Sequence, residues 1–236
     1  MNPFEFVLAL MIVMFAFRII SHKMGMRTGL DRRWANQQLE AGDPRETSRL
    51  RDEVGELQLV PPEERVSGPG ATPVMAAFTH LNPEGSRFSD GTYGVYYAAH
   101  SLETAIAEVS HHRGVFLRRT DEAAIDVDMR LITASVEAEL HDLLDAEGEA
   151  ANTDRYASLL DPDDYGPSQA LGRRLRAARS WGIRYPSVRH AGGECVGIFR
   201  PRALRHAKAA AHLALHWDGT RITHWYEKRQ PHAVNE

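Results

Sequence analysis

Two alternating runs near the end of the sequence constrain its fold more than any other feature. Residues 212–217 and 220–226 each alternate apolar and polar side chains, and Asp218-Gly219 lies between them. Two such runs around an Asp-Gly pair predict a β-hairpin with a type I′ turn. The fold therefore contains antiparallel strands.

The remaining patterns predict short elements of both kinds. Ser101 is the predicted N-cap of a helix, and Glu103 in the first turn suits the helix dipole. A second, basic amphipathic helix is predicted over residues 168–180. Further strands are predicted over 94–99, 124–131, 183–188 and 195–199. Strands outnumber helices and lack regular crossovers, so an α+β fold is favoured over a doubly wound sheet.

Composition excludes several functional classes. The chain has 236 residues, of which 43% are hydrophobic and 25% charged, as in ordinary globular proteins. Its one cysteine, Cys195, excludes a disulfide framework and a Cys-cluster zinc site. A net charge of −4 argues against a general nucleic-acid binder. The pairs His111-His112 and His212/His216 do not converge at the predicted helix and strand spacings, so no metal is expected.

The first 27 residues differ from the rest. Phe4–Ile20 is apolar apart from Glu5 and Arg18, and basic side chains follow it. This pattern predicts a single membrane anchor with its N-terminus outside, which places the body at the cytoplasmic face of the inner membrane. A signal peptide is a second interpretation. The third is a buried apolar helix in a cytoplasmic protein.

The layout of this region is similar to the phage shock protein B family. The resemblance rests on the opening MNPFEF and on the order of apolar helix, basic turn (ending near residue 27) and polar segment (28–48). It implies, as one alternative, a membrane stress-response protein.

Four separated motifs in the body carry a second resemblance. They are Gly85–Ser89, Gly94–Ala99, Thr104-Ala105 with Glu108, and Tyr185–Arg189, and Trp217-Asp218-Gly219 follows them. In this order they resemble the RES domain, here expected over residues 49–230 with a tail at 231–236. The resemblance implies an ADP-ribosyltransferase-like fold of mixed and antiparallel sheets with flanking helices. It also implies a type II toxin that consumes NAD by hydrolysis, phosphorolysis or ADP-ribosyl transfer, with an Xre-type antitoxin as its partner.

Four residues match the functional positions of that family. Glu108 would stabilise the positive charge that develops on the sugar when the nicotinamide–ribose bond breaks. Arg87 would bind pyrophosphate through its planar fork of donors. Tyr97 would offer a ring face to nicotinamide, although the roles of Tyr96 and Tyr97 could be exchanged. Ser187 would either hydrogen-bond the nicotinamide side or position Glu108.

One departure from the family pattern suggests an alternative function. The family normally opens with a strand that carries another arginine of the NAD pocket. Here the anchor-like head stands in its place, and Arg65 is a possible substitute. A chain without that arginine would be a RES-fold binding or regulatory module.

Overall fold

The computed structural model describes residues 55–144 and 156–228. In these ranges the α-helices are α1 (Ala71–Thr79), α2 (Leu102–Leu117) and α3 (Gly166–Ala177). The strands are β1 (Tyr96–Ala99), β2 (Ile125–Val136), β3 (His141–Asp142), β4 (Gly182–Pro186), β5 (Glu194–Ile198), β6 (Leu204–Trp217) and β7 (Ile222–Glu227). Short 3₁₀ helices lie at Leu57–Leu59, Pro62–Glu64 and Pro201–Ala203.

The strands form two sheets. The first has the order β1-β5-β4-β3, in which β3 and β4 are parallel and the other pairs antiparallel. The second, β2-β6-β7, is antiparallel throughout. The predicted α+β class is therefore confirmed. The finer prediction of an ADP-ribosyltransferase-like arrangement stays a prediction.

The β6–β7 hairpin forms as predicted, but its turn differs. Among the turn residues only Gly219 has a positive φ, +98°. A type I′ turn needs positive φ at both central residues, so that part of the prediction is wrong. The Asp218 carboxylate stabilises the turn by accepting the backbone N–H groups of Thr220 at 2.8 Å and Arg221 at 2.9 Å.

Other boundaries shift by a few residues. β1 begins at Tyr96 rather than at Gly94, where a side chain would meet the carbonyl oxygen of Ala77 in α1 at 2.2 Å. β2 continues to Val136, five residues beyond its predicted end, because its later residues keep pairing with the long strand β6. Pairing with a neighbouring strand therefore extends β2 beyond the residues in which apolar and polar side chains alternate.

The core lies on both faces of the first sheet, because successive strand residues point to opposite sides. One cluster joins this sheet to α2 and to the second sheet, and includes Phe88, Val109, Tyr185, Cys195 and Leu215. The other joins it to α1, and includes Val74, Phe78, Tyr96, Val196 and Ile198. The first of these faces carries the candidate site.

The predicted N-terminal features lie outside the described residues. These are the apolar helix Phe4–Ile20, the polar segment 28–48 and the likeness to phage shock protein B, and the tail 231–236 is outside as well. Within 55–144 and 156–228, no helix combines the length and apolar character needed to cross a membrane.

Candidate active site

The centre of the site is a carboxylate held by a hydroxyl group. Glu108 lies on α2, whose first turn is capped by the Ser101 hydroxyl accepting the Thr104 N–H at 3.2 Å. The Ser187 hydroxyl, just after β4, donates to Oε1 of Glu108 at 2.6 Å. The same Ser187 oxygen accepts the backbone N–H groups of Arg189 at 3.1 Å and His190 at 3.0 Å. Three hydrogen bonds therefore fix Ser187 and, through it, the Glu108 carboxylate.

The loop that carries Ser187 is fastened to the first turn of α2. Nδ1 of His190 lies 2.9 Å from the buried Thr104 hydroxyl. Within the loop, the N–H of Ser187 donates to the carbonyl oxygen of Gly193 at 2.7 Å. A side chain at Gly193 would lie 2.6 Å from the Thr104 hydroxyl. The loop and the helix are therefore in direct contact at Thr104, one helical turn before Glu108.

Tyr97 holds a neighbouring turn. Its hydroxyl lies 2.8 Å from that of Ser86 and accepts the backbone N–H of Phe88 at 2.9 Å. Burial raises the pKa of the Tyr97 phenol, so it stays protonated at neutral pH. Tyr96 points to the opposite face of the sheet and is 1% exposed. The sequence-based alternative in which Tyr96 and Tyr97 exchange roles is therefore wrong.

Arg87 is buried rather than projecting from its turn. It is 7% exposed, and its Nη1 donates to the carbonyl oxygens of Leu159 at 3.2 Å and Asp161 at 2.9 Å. The guanidinium also lies over the Tyr165 ring, 4.6 Å from its centre. These contacts set its orientation, which favours precise recognition of an anion because little side-chain freedom is left to lose.

Two neighbours of Glu108, the Cys195 thiol and the Tyr185 ring, are not predicted as site residues from the sequence. Sγ of Cys195 lies 3.9 Å from Oε1 of Glu108, and burial raises the pKa of this thiol. Tyr185 is 5% exposed and packs edge-on against Phe88 with ring centres 4.9 Å apart. Tyr185 belongs to the Tyr185–Arg189 motif, but only the register of β4 and β5, which pairs it with Cys195, reveals this placement.

Two basic side chains of the site were also missed as functional residues. Arg189 donates Nη2 to the carbonyl oxygen of Pro162 at 2.7 Å. His112, one helical turn after Glu108, has a pKa of about 4, lowered by burial and by the charges of Arg189 and Arg87. The rings of His111 and His112 contact each other edge-on at 5.3 Å, so the prediction that they point apart is wrong.

Arg65, the predicted substitute for the family's entry arginine, is placed elsewhere. Its Nε donates to the carbonyl oxygen of Val60 at 2.8 Å. Among the described residues it makes no hydrogen bond to Glu108, Ser187 or Arg87. In the same part of the chain no three His, Cys, Asp or Glu side chains are arranged to hold a metal ion.

Comparison with known proteins identifies the family. The RES domain model matches residues 62–218, about two thirds of the sequence. The chain belongs to the RES domain family.

Two individual proteins are similar to the chain. The uncharacterized protein y4oC of Sinorhizobium fredii (strain NBRC 101917 / NGR234) is 30% identical over 152 residues, 64% of this chain and 60% of that protein. The chain thus matches less than two thirds of that relative's length. The crystal structure of the M. tuberculosis MbcT–MbcA toxin–antitoxin complex contains a chain 15% identical, with a TM-score of 0.40 over 56% of this chain and 73% of that one.

Proposed function

We propose that the protein is a RES-type toxin that cleaves the nicotinamide–ribose bond of NAD. The observation that carries this proposal is the partly buried Glu108 carboxylate, which the 2.6 Å hydrogen bond from Ser187 holds in place. A carboxylate held in place is suited to a reaction that develops positive charge beside it, because no reorganisation is needed during the reaction. Membership of the RES domain family supports the assignment.

In this reaction the bond between ribose C1′ and the nicotinamide nitrogen breaks, and its electron pair leaves with nicotinamide. The pyridinium thereby becomes neutral, and positive charge spreads over C1′ and the ring oxygen. Glu108 stabilises this charge. An acceptor (water, phosphate or a protein side chain) then bonds to C1′ and loses a proton. Nicotinamide leaves without a nucleophilic side chain, so Ser187 has no covalent role.

The other site residues bind and orient. Of the two roles considered for Ser187, the positioning of Glu108 is the one its hydrogen bonds support. Tyr97 uses its hydroxyl to shape the Ser86–Phe88 turn, so its contribution to nicotinamide binding rests on its ring. Arg87 is the anion-binding group of this proposal, and NAD is the substrate rather than a resident cofactor.

Release of nicotinamide from NAD by the purified chain tests the proposal. Glu108→Gln keeps the size of the side chain and removes its charge, and should lower the rate about 100- to 1,000-fold, as the loss of one preorganised electrostatic contact does. Glu103→Gln is the matched control, because it removes an exposed carboxylate from the same helix and should leave the rate unchanged.

A folded chain that binds NAD without releasing nicotinamide would overturn the enzymatic proposal. That result would favour the RES-fold binding module instead. Binding raises the melting temperature when the ligand binds only the native state, so thermal shift with NAD detects it. An Xre-type antitoxin partner and anchoring through Phe4–Ile20 remain proposals, the first from the family and the second from the sequence.

A further inference from the structure

We propose that Arg189 is the second pyrophosphate-binding arginine of the site and acts together with Arg87. The inference rests on the proposed function, because it assigns the phosphates of NAD to particular side chains. In this proposal Arg189 provides the second arginine of the NAD pocket, a role that Arg65 does not fill.

Arg189 is attached directly to the group that orients Glu108. Its backbone N–H donates to the Ser187 hydroxyl at 3.1 Å, and that hydroxyl donates to Glu108. This hydrogen bond fixes the position of the Arg189 main chain relative to Ser187, and the guanidinium therefore extends from a defined point next to the carboxylate-binding hydroxyl.

The guanidinium groups of Arg87 and Arg189 converge on one segment, residues 159–165. Arg87 binds the carbonyl oxygens of Leu159 and Asp161 at 3.2 and 2.9 Å, and Arg189 binds that of Pro162 at 2.7 Å. The two side chains come from positions about a hundred residues apart in the sequence, yet they reach neighbouring carbonyl groups. The fold therefore brings the two cations to one segment of the chain.

The pKa of His112 agrees with this convergence, because the charges of both arginines act on it. Burial and then the charges of Arg189 and Arg87 lower its pKa to about 4, so the ring is neutral near pH 7. Pyrophosphate carries two negative charges, which two guanidinium forks match in number and in bidentate geometry.

Among the described residues, the contacts of both guanidiniums leave N–H donors over for such a ligand. Each has five N–H groups, of which the contacts with the 159–165 segment use two on Arg87 and one on Arg189. The segment thus orients the forks, and the phosphates are bound by the donors that remain.

Three substrates with different phosphate content test the inference in the full chain. They are NAD, nicotinamide mononucleotide with one phosphate, and nicotinamide riboside with none. Arg189→Gln should lower kcat/KM for NAD about 10- to 150-fold, the effect of losing one charge-assisted hydrogen bond. The value for nicotinamide riboside should change less than about threefold, since that substrate has no phosphate for the arginine to bind.

Two further variants complete the design. Arg119→Gln removes an arginine that is paired with Glu84 on the surface, and should leave the substrate preference unchanged. Arg189→Lys keeps the charge but not the fork, and should fall between wild type and Arg189→Gln. If Arg189→Gln does not fold, the substrate preference of Arg189→Lys decides the question.

The outcomes separate the two proposals. A wild-type chain that releases no nicotinamide overturns the proposed function and this inference with it. Wild-type release combined with equal losses on all three substrates overturns this inference alone, because a purely structural role affects every substrate alike. A loss confined to the phosphorylated substrates supports it.

Discussion

Ser187 shows how the chemistry of this site is decided at the scale of one residue. Its hydroxyl has one proton, which it donates to Glu108, and two lone pairs, which accept the N–H groups of Arg189 and His190. The hydrogen-bonding capacity of the group is therefore fully used. Such a serine acts through the carboxylate that it orients.

Removing this hydroxyl should impair catalysis more than substrate binding. Ser187→Ala leaves the Glu108 carboxylate without its 2.6 Å donor, and kcat for nicotinamide release should fall roughly 10- to 100-fold, as for a misplaced catalytic group. KM should change little, because Glu108 stabilises the positive charge that develops on the ribose only in the transition state, after NAD has bound. Ser187→Thr retains a hydroxyl and should recover part of the rate. A higher KM with an unchanged kcat would instead assign Ser187 to substrate binding.

At the scale of elements, the position of α1 depends on a glycine at its N-terminus. Gly70 is the N-cap, with a φ of +78°, and a side chain there would lie 1.9 Å from the carbonyl oxygen of Ala207 in β6. The helix therefore packs directly on the backbone of the second sheet. Gly68, two residues earlier, also has a positive φ but nothing within 4 Å.

These two glycines form a matched pair. Gly68→Ala and Gly70→Ala both place alanine at a positive φ, which costs about 1–2 kcal/mol. Only Gly70→Ala adds the collision with Ala207, so it should lower the free energy of unfolding by a further ~1–3 kcal/mol. Chemical denaturation of both variants measures the difference. Equal destabilisation would show that α1 does not depend on this close contact.

At the scale of the whole molecule, an ion network around a buried carboxylate connects distant parts of the chain. Oε1 of Glu64, in the second 3₁₀ helix, accepts from Arg200 after β5 at 2.9 and 2.5 Å and from Arg179 after α3 at 3.3 Å. Glu64 is 7% exposed, and the Arg200 guanidinium lies 3.6 Å from the centre of the Trp181 ring. The network lies at the end of the first sheet opposite Ser187.

Neutralising Glu64 should therefore destabilise the fold without changing the chemistry. Glu64→Gln weakens hydrogen bonds to two charged groups and should cost about 1.5–3 kcal/mol. Glu63→Gln removes the adjacent, exposed carboxylate and should be close to neutral. Melting temperatures compare the pair, and kcat at a temperature where both are folded should equal that of wild type. A change in kcat would show that the network also influences the catalytic end.

Part of the site can be predicted from the sequence because its residues stand in ordered motifs. Glu108, Arg87, Tyr97 and Ser187 were named in this way, and Glu108 and Ser187 are brought into contact. Arg189 and His112 were missed because their roles depend on what faces them. The prediction that Arg65 replaces the family's entry arginine fails for the same reason. The absence of the entry motif does not determine the direction in which a nearby arginine side chain points.

The sequence by itself determined the α+β class, the N-cap of α2 and the terminal hairpin. Each depends on neighbours within a few positions, such as the Ser101 hydroxyl and the Thr104 N–H. Only the tertiary structure decided the turn at Gly219, the length of β2 and the convergence of Arg87 and Arg189. Short-range sequence patterns reflect the backbone preferences of the residues and the spacing at which side chains are buried. Strand pairing and the meeting of distant charges depend on packing, which local patterns do not contain.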